Sequence, residues 1–386
     1  MKATISVLGR FHAFYLAAQL AKRGGLHRLL TSYPAWEAEK YGVPRKHIQS
    51  LLWQEIVKRA WENLPRRVRP DWNLQFYWME RYDRRAARSF DPKADLFVGW
   101  NGTSLYQMQR ARDAGIPTIV VRGNAHMLTQ IELLTEEFGR FGPVPQYHPR
   151  TIEKSVAEYE AADYIQILSS FARRTFLEHG VPEEKLIQVP LGSSLDEFSP
   201  VPKEDDTFRI MHCGRVSLQK GIHYLLEAWS ALKLKNAELW LVGPVDEEIR
   251  PFLERHAAPS VVVHGAKRQS ELAWFYSQCN AFCLASIQDG FGVVLGQAMA
   301  CGLPAIATIN SGGPDIVTEG TDGFIVPIRD PDALGEKILW CYENRDACAE
   351  MGKAARRKTV EELRGWDAYG ERIYAAYERI LASGRR

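Results

Sequence analysis

Short apolar runs and amphipathic stretches alternate along most of this chain. Ala3 to Leu8 reads as a buried strand, β-branched and apolar, ending at Gly9. From Phe11 to Arg23 the residues Phe14, Leu16, Ala17 and Leu20 take helical spacing, and Gly24-Gly25 closes the segment. Strands are expected at Asp95 to Trp100, Thr118 to Val121, Tyr164 to Leu168 and Leu186 to Val189, with helical segments between them. Gly192 to Asp206, polar and carrying Pro200 and Pro202, reads as an interdomain linker. The alternation then restarts. Strands are expected at Phe208 to Met211, Glu238 to Val242, Val261 to His264, Ala281 to Leu284 and Ala305 to Thr308. Helices are expected from Gln219 to Leu232, from Asp246, from Gln269 and from Val293 to Ala300. Beyond Asp330 the pattern is helical, and Tyr369, Ile373, Tyr377 and Ile380 form one stripe of a long helix from Trp366 to Leu381. Strand–helix alternation in both halves predicts an α/β protein with two doubly wound parallel sheets.

Tyr41 to Arg88 departs from this pattern. Arg45, Lys46, Lys58, Arg59, Arg66, Arg67, Arg69, Arg81, Arg84, Arg85 and Arg88 interleave with Trp53, Trp61, Trp72, Phe76, Tyr77, Trp78 and Tyr82. Helical spacing is expected from Ile48 to Leu64 and from Trp72 to Phe90, broken around Pro65 and Pro70. Two readings stand side by side: aromatics at helical period that are simply core, or a surface that meets anionic lipid headgroups or an anionic acceptor. No nucleic-acid recognition motif accompanies the charge.

Composition narrows the class. The 386 residues are 46% hydrophobic and 25% charged, with net charge +2, so bulk charge favours no partner and two or three domains are expected. No signal-peptide pattern and no run of ~20 apolar residues stands out, which predicts a cytoplasmic protein. Cys213, Cys279, Cys283, Cys301, Cys341 and Cys348 make no Cys-x-x-Cys pair and no His cluster, so they read as reduced buried thiols and not as a metal site.

The chemistry concentrates between Ala281 and Val326. Twice there a strand feeds a glycine-containing loop and then a helix start: at Asp289-Gly290-Phe291-Gly292, and at Gly312-Gly313. Such junctions present free backbone N–H groups and a positive dipole end, a site for anions such as phosphate. Upstream, Gly214 to Gly221 joins a strand to a helix and brings Arg215 and Lys220 to one loop. Its spacing is not that of an ATPase P-loop, and the turn at Gly9 lacks the three glycines of a dinucleotide-binding turn. Asp289 in its loop and Gln297 on the following helix are polar candidates for sugar or ribose hydroxyls. Asp315 is a third, although a carboxylate in a first helical turn often only caps. His126, in Arg122-Gly123-Asn124-Ala125-His126 at a strand end, is a candidate general base or hydrogen-bonding group.

These residues carry a family resemblance. Gly214-Arg215 with Lys220-Gly221, Leu241-Val242-Gly243, and the run from Asp289 through Gly312-Gly313-Pro314-Asp315 to Pro327 are similar to retaining glycosyltransferases of the two-domain GT-B group, family 4 type. The likeness is tight over the C-terminal half and loose over the N-terminal half. It implies two Rossmann-like domains facing a cleft: an acceptor domain at 1–192, a nucleotide-sugar donor domain at 207–365, and a terminal helix at 366–386 packing back on the first. It implies a hexose moved with retention from a UDP- or GDP-linked donor to a hydroxyl of a glycan or lipid-linked acceptor, without metal and possessing no resident cofactor, at the inner face of the membrane or in the cytoplasm. Arg215 and Lys220 would neutralise the diphosphate. Gly9, Arg10, Gly214 and the backbone of Phe291, Gly292, Val293 and Val294 would surround it. Asp289 would hold the transferred sugar, Gln297 the ribose, and His126 would lie near the reacting carbon. Asp289 and Gln297 stand where the family has glutamate at both positions. A non-catalytic partner of another transferase, and an epimerase or phosphorylase, are alternatives on the same fold.

Overall fold

The computed structural model describes residues 1–63, 74–142 and 144–383. Among them, β1 (Ala3–Val7), β2 (Leu26–Thr31), β3 (Ile48–Ser50), β4 (Leu96–Trp100), β5 (Thr118–Val121), β6 (Tyr164–Ile167) and β7 (Leu186–Gln188) form one sheet in the order β3-β2-β1-β4-β5-β6-β7. A second sheet has the order β10-β9-β8-β11-β12-β13. It contains β8 (Phe208–Cys213), β9 (Ala237–Val242), β10 (Val261–Gly265), β11 (Ala281–Leu284), β12 (Ala305–Thr308) and β13 (Gly323–Val326). Neighbouring strands in both sheets are parallel, as β1 is with β2 and β4, and β8 with β9 and β11. Every residue of β1, β4, β8 and β11 is buried; β1, β4 and β11 accordingly read as largely apolar runs, while β8 also buries Arg209 and His212. The fold is therefore α/β with two Rossmann-like sheets, as the alternation predicts.

In each sheet the order reverses beside the first strand, between β1 and β4 and between β8 and β11. Crevices open at the C-terminal ends of strands at such switch points. The loops after β1 and β8 are the ones that carry Gly9 and Gly214.

Three strands depart from expectation. β2 was not expected, because His27 and Arg28 interrupt its apolar run; both side chains are bound by Asp91, at 3.0 and 2.7 Å. β3 lies inside the helix expected from Ile48, which instead runs Leu52–Glu62. Ile48–Ser50 pairs with Leu29–Thr31, so sheet pairing overrides local periodicity there. β13 was likewise not assigned from sequence. The next helix is Gln75–Arg88, while Leu64, Pro65, Arg66, Arg67, Arg69, Pro70 and Trp72 lie outside the described residues. Within this segment the aromatics divide. Phe76 and Tyr82 are core, Tyr82 bonding Ser6 Oγ and the Leu30 carbonyl, whereas Trp53 and Tyr77 are more than half exposed.

The C-terminal helix Gly365–Ser383 lies against the first sheet's helices. Trp366 stacks on Tyr15 with centroids 3.9 Å apart, Lys22 bonds Asp367 at 2.7 Å, and the Tyr377 hydroxyl donates to Gln166 Oε1 at 2.6 Å. Gly192 and Gly365, where the chain passes between the two sheets, touch each other.

Candidate active site

The second domain supplies a cationic loop and an uncapped helix start. After β8, residues Gly214–Gly221 turn into the helix Ile222–Leu232. Gly221 has φ +65°, and a Cβ there would lie 1.9 Å from the Ala285 carbonyl oxygen, so only glycine lets the loop reach β11 this closely. That approach brings Lys220 to Asp289: its ammonium donates to Asp289 Oδ2. Both side chains are mostly buried. Arg215 is paired with Asp246 and is 64% exposed, so it rims the site and does not line it. Beneath the loop lies His212. Burial, then the charge of Lys220, lower its pKa to about 4 and keep the ring neutral.

The Asp289-to-Gly292 loop follows β11. The backbone N–H of Asp289 bonds the Asn310 carbonyl and that of Gly312 bonds the Phe291 carbonyl, which ties this loop to the one after β12. Gly292 begins the helix Val293–Ala300 with φ 80° and no side-chain cap, and although the Leu295 N–H bonds the Gly292 carbonyl, a helix start without a side-chain cap suits an anion. Phe291 itself is core, with only its backbone at the turn. Gln297 accepts from the Tyr276 hydroxyl at 3.2 Å.

The first domain faces this with the β1 loop. Gly9 bonds Ser32 Oγ through its N–H, and Thr31 Oγ1 donates to the Gly9 carbonyl. Gly9, Arg10, Val293 and Gln297 line one cavity of about 550 Å³ between the domains, together with Tyr15, Tyr33, Tyr41, Glu55 and Trp366. Glu55 is nearly buried and holds Ser32 and Arg59. Gly290 closes the other side. A Cβ there would sit 1.8 Å from the Gly123 carbonyl oxygen, so the two domains meet backbone to backbone at this point.

Two expected site residues stand elsewhere. His126 is 3% exposed and stacks on His179 among Tyr159 and Phe176; its Nδ1 accepts from the Leu128 N–H and so caps the helix Met127–Phe141. Burial, with the charges of His179 and Arg122, lowers its pKa to about 3. The ring packs in the interior of the first domain and is not among the residues that line this cavity. Asp315 does cap, but across the domains. It accepts from Ser170 N–H and Oγ at the start of the helix Ser170–Glu178, and from Gln188 Nε2 at 2.7 Å. It latches the two domains together.

Sequence reasoning passed over His12, which lines the cavity. Its position at the C-terminal end of β1, beside the switch point, was the available signal. It also passed over a clasp in which Glu137, fully buried on the first domain, accepts from His223 and Arg329 of the second. Among the described residues, no cluster of His, Cys, Asp and Glu has the make-up of a metal site.

Residues 194–358 match the family model for glycosyl transferases group 1. The capsular polysaccharide biosynthesis glycosyltransferase CapM of Staphylococcus aureus is 28% identical over 337 residues, covering 78% of this chain and 87% of that protein. Sucrose-phosphate synthase of Thermosynechococcus elongatus superposes with a TM-score of 0.75 at 20% identity, over 99% of this chain and 100% of that one. Anabaena HepE in complex with UDP and glucose superposes with a TM-score of 0.71 at 14% identity, over 98% of this chain and 100% of that one. The two-sheet architecture is the GT-B fold, and the match over residues 194–358, together with relatives named as polysaccharide-biosynthesis glycosyltransferases, supports a glycosyltransferase.

Proposed function

We propose that this chain moves a hexose from a nucleoside-diphosphate sugar, UDP- or GDP-linked, to a hydroxyl of a glycan or lipid-linked acceptor, with retention at the anomeric carbon. The observation that carries this reading is the pairing of Lys220 with Asp289 on the loop that leads into the uncapped start of Val293–Ala300, where Val293 lines an interdomain cavity together with Gly9 and Arg10. A leaving diphosphate gathers negative charge as the glycosidic bond breaks. An ammonium and fixed backbone dipoles in a part-buried site stabilise that charge without reorganising. Lys220, with Arg215 at the rim, supplies the positive charge, so no divalent ion is required by this reading. The stacked Tyr15 and Trp366 offer a flat apolar face to a sugar ring. HepE, bound to UDP and glucose, supports a nucleotide sugar as the ligand class.

The test is a thermal-shift panel of UDP, GDP, ADP and their hexose conjugates in EDTA. One nucleotide is expected to raise Tm, because a ligand at ~100-fold its Kd adds about 2.7 kcal/mol to apparent stability. Its sugar conjugate is expected to be turned over in the same buffer, with retained configuration by NMR. No shift with any of them sinks the reading.

The chain's approach to a lipid-linked acceptor is assigned to the helix Leu52–Glu62. Leu52, Trp53 and Ile56 are exposed on it, and exposed Arg45 and Lys46 precede it. Apolar anchors flanked by cations suit an anionic bilayer surface. Among the described residues no helix is long and apolar enough to cross a membrane. Binding to phosphatidylglycerol vesicles at low salt should fall several-fold in the W53E/I56E double variant. Absence of wild-type pelleting overturns the assignment.

A further inference from the structure

We propose that His12, and not His126, is the imidazole that hydrogen-bonds the substrate at the reacting end of the cleft. The proposal rests on the glycosyl-transfer reading and names a residue that reading did not contain. His12 ends the β1 loop and begins the helix Ala13–Lys22, where it makes no side-chain cap. It lines the same cavity as Gly9 and Arg10 on one side and Val293 and Gln297 on the other. Its Nε2 is buried and has no hydrogen-bond partner. A buried polar atom left unpaired is costly, so folds satisfy such atoms unless a ligand does so.

The surroundings connect this ring to the donor loop. It packs against Trp100 with centroids 5.1 Å apart. A Cβ on Gly123 would be 3.8 Å from His12 Cε1, and the carbonyl of that same Gly123 is what Gly290 abuts. His12 is thus separated from the Asp289–Gly290 turn by one backbone segment. The turn that presents it is strained: Phe11 has φ 40°, a left-handed conformation unfavourable for a bulky residue, and its ring is 67% exposed. Strain and an unmade hydrogen bond coincide in two adjacent residues facing the cavity. His126, by contrast, uses its Nδ1 on its own helix and its ring faces on His179, Tyr159 and Phe176. Burial draws the His12 pKa down to about 4, so at neutral pH its ring carries one N–H and one lone pair. A neutral ring of this kind bonds a sugar hydroxyl as donor or as acceptor and needs no counter-charge.

The test compares His12→Asn, His12→Gln and His126→Asn in the full chain. Nucleotide release from the donor that the wild type uses, the thermal shift produced by the free nucleotide, and Tm are read for each. The His12 variants are expected to lose 100-fold or more in kcat, with Tm within a few degrees of wild type and the nucleotide shift retained. His12→Gln is expected to recover part of the loss when its amide reaches the position of Nε2. His126→Asn is expected to lower Tm while turnover per folded molecule falls far less. The proposal is overturned if His12→Asn turns over like wild type, or if His126→Asn carries the kinetic loss at unchanged Tm. A wild type that neither binds nor turns over any UDP-, GDP- or ADP-linked sugar overturns the transfer reading itself, and the His12 role with it.

Discussion

Lys220→Ala is expected to lower sugar transfer by about 100- to 1000-fold, the range found when one preorganised stabiliser of developing negative charge is removed. The geometry gives this substitution two separate effects. It deletes the ammonium at the strand end, and it leaves Asp289, its partner, as an unpaired carboxylate in the same part-buried place. That carboxylate then repels an incoming diphosphate, so nucleotide affinity should fall along with kcat. The double variant Lys220→Ala/Asp289→Asn separates the two. Neutralising Asp289 should return part of the nucleotide affinity lost by Lys220→Ala while turnover stays low, a non-additive cycle of the kind expected for groups in contact. Arg215→Ala should cost less, because Arg215 is 64% exposed and paired with Asp246. Steady-state release of nucleotide and calorimetric titration of the free nucleotide check the wild type, these three variants and Asp289→Asn alone, which closes the cycle. Undiminished turnover in Lys220→Ala removes the diphosphate role.

Lys220 satisfies Asp289, and Arg215 satisfies Asp246. On the proposed reading, a diphosphate that takes Lys220 would free Asp289 for a sugar hydroxyl and so couple the two contacts through one exchanged hydrogen bond.

The strands that enclose the site were readable because each is buried on both faces. Thr118–Val121, Ala281–Leu284 and Ala305–Thr308 occur where the apolar runs place them. The strand–glycine–helix turns were readable for a similar reason: backbone constraints fix residue type at Gly221 and Gly292. What sequence did not disclose is which side chain turns toward the cleft. His126 and His12 both follow strand ends, but Thr175 takes the backbone N–H of His126 and the aromatic cluster takes its ring, whereas Nε2 of His12 is taken by nothing. Asp315 reads as a cleft residue until Ser170 and Gln188, more than a hundred residues away in the chain, are seen to hold it. The clasp of Glu137 with His223 and Arg329 is equally silent in a single sequence, since its partners lie on different domains. β2 and β3 were hidden because charged or edge positions blur their pattern, and pairing with β1 and β2 decided them.

Mild acid is expected to destabilise this protein well above the pH at which carboxylates titrate. His126 and His212 are 3% and 0% exposed, and burial holds their pKa values at about 3 and about 4. In the unfolded chain each returns to ~6.5. The sign follows from the lowered folded values. Above pH 6.5 neither state is protonated and the native state keeps its full stability. Below it the unfolded chain takes up protons that the folded chain refuses, so stability falls as pH drops toward 4 and 3. Each ring contributes about 1.4 kcal/mol per pH unit in that window, and the two together about 4 kcal/mol between pH 7.5 and 5, against a typical total of 5–15. His12, lowered to about 4 by burial, acts in the same direction. Glu158 opposes them. Burial pushes its carboxyl up to about 8, while backbone N–H groups of Ser104 and Gly102 pull it down, and a net rise makes folding take up a proton as the pH falls. Its offset is removed in Glu158→Gln, which should therefore show a steeper acid loss than wild type. Carboxylates held low by their partners, such as Glu80 at about 2, begin to matter only below ~4.5, so in Glu158→Gln the interval from pH 6.5 to 5 isolates the imidazoles. Urea unfolding at pH 7.5, 6 and 5 reads the effect, with the slope against pH as the quantity compared and not the absolute stability. His212→Gln should flatten that slope by about one ring's share even where it lowers stability overall, and a urea midpoint that stays level from pH 7.5 to 5 in Glu158→Gln refutes the neutral buried rings.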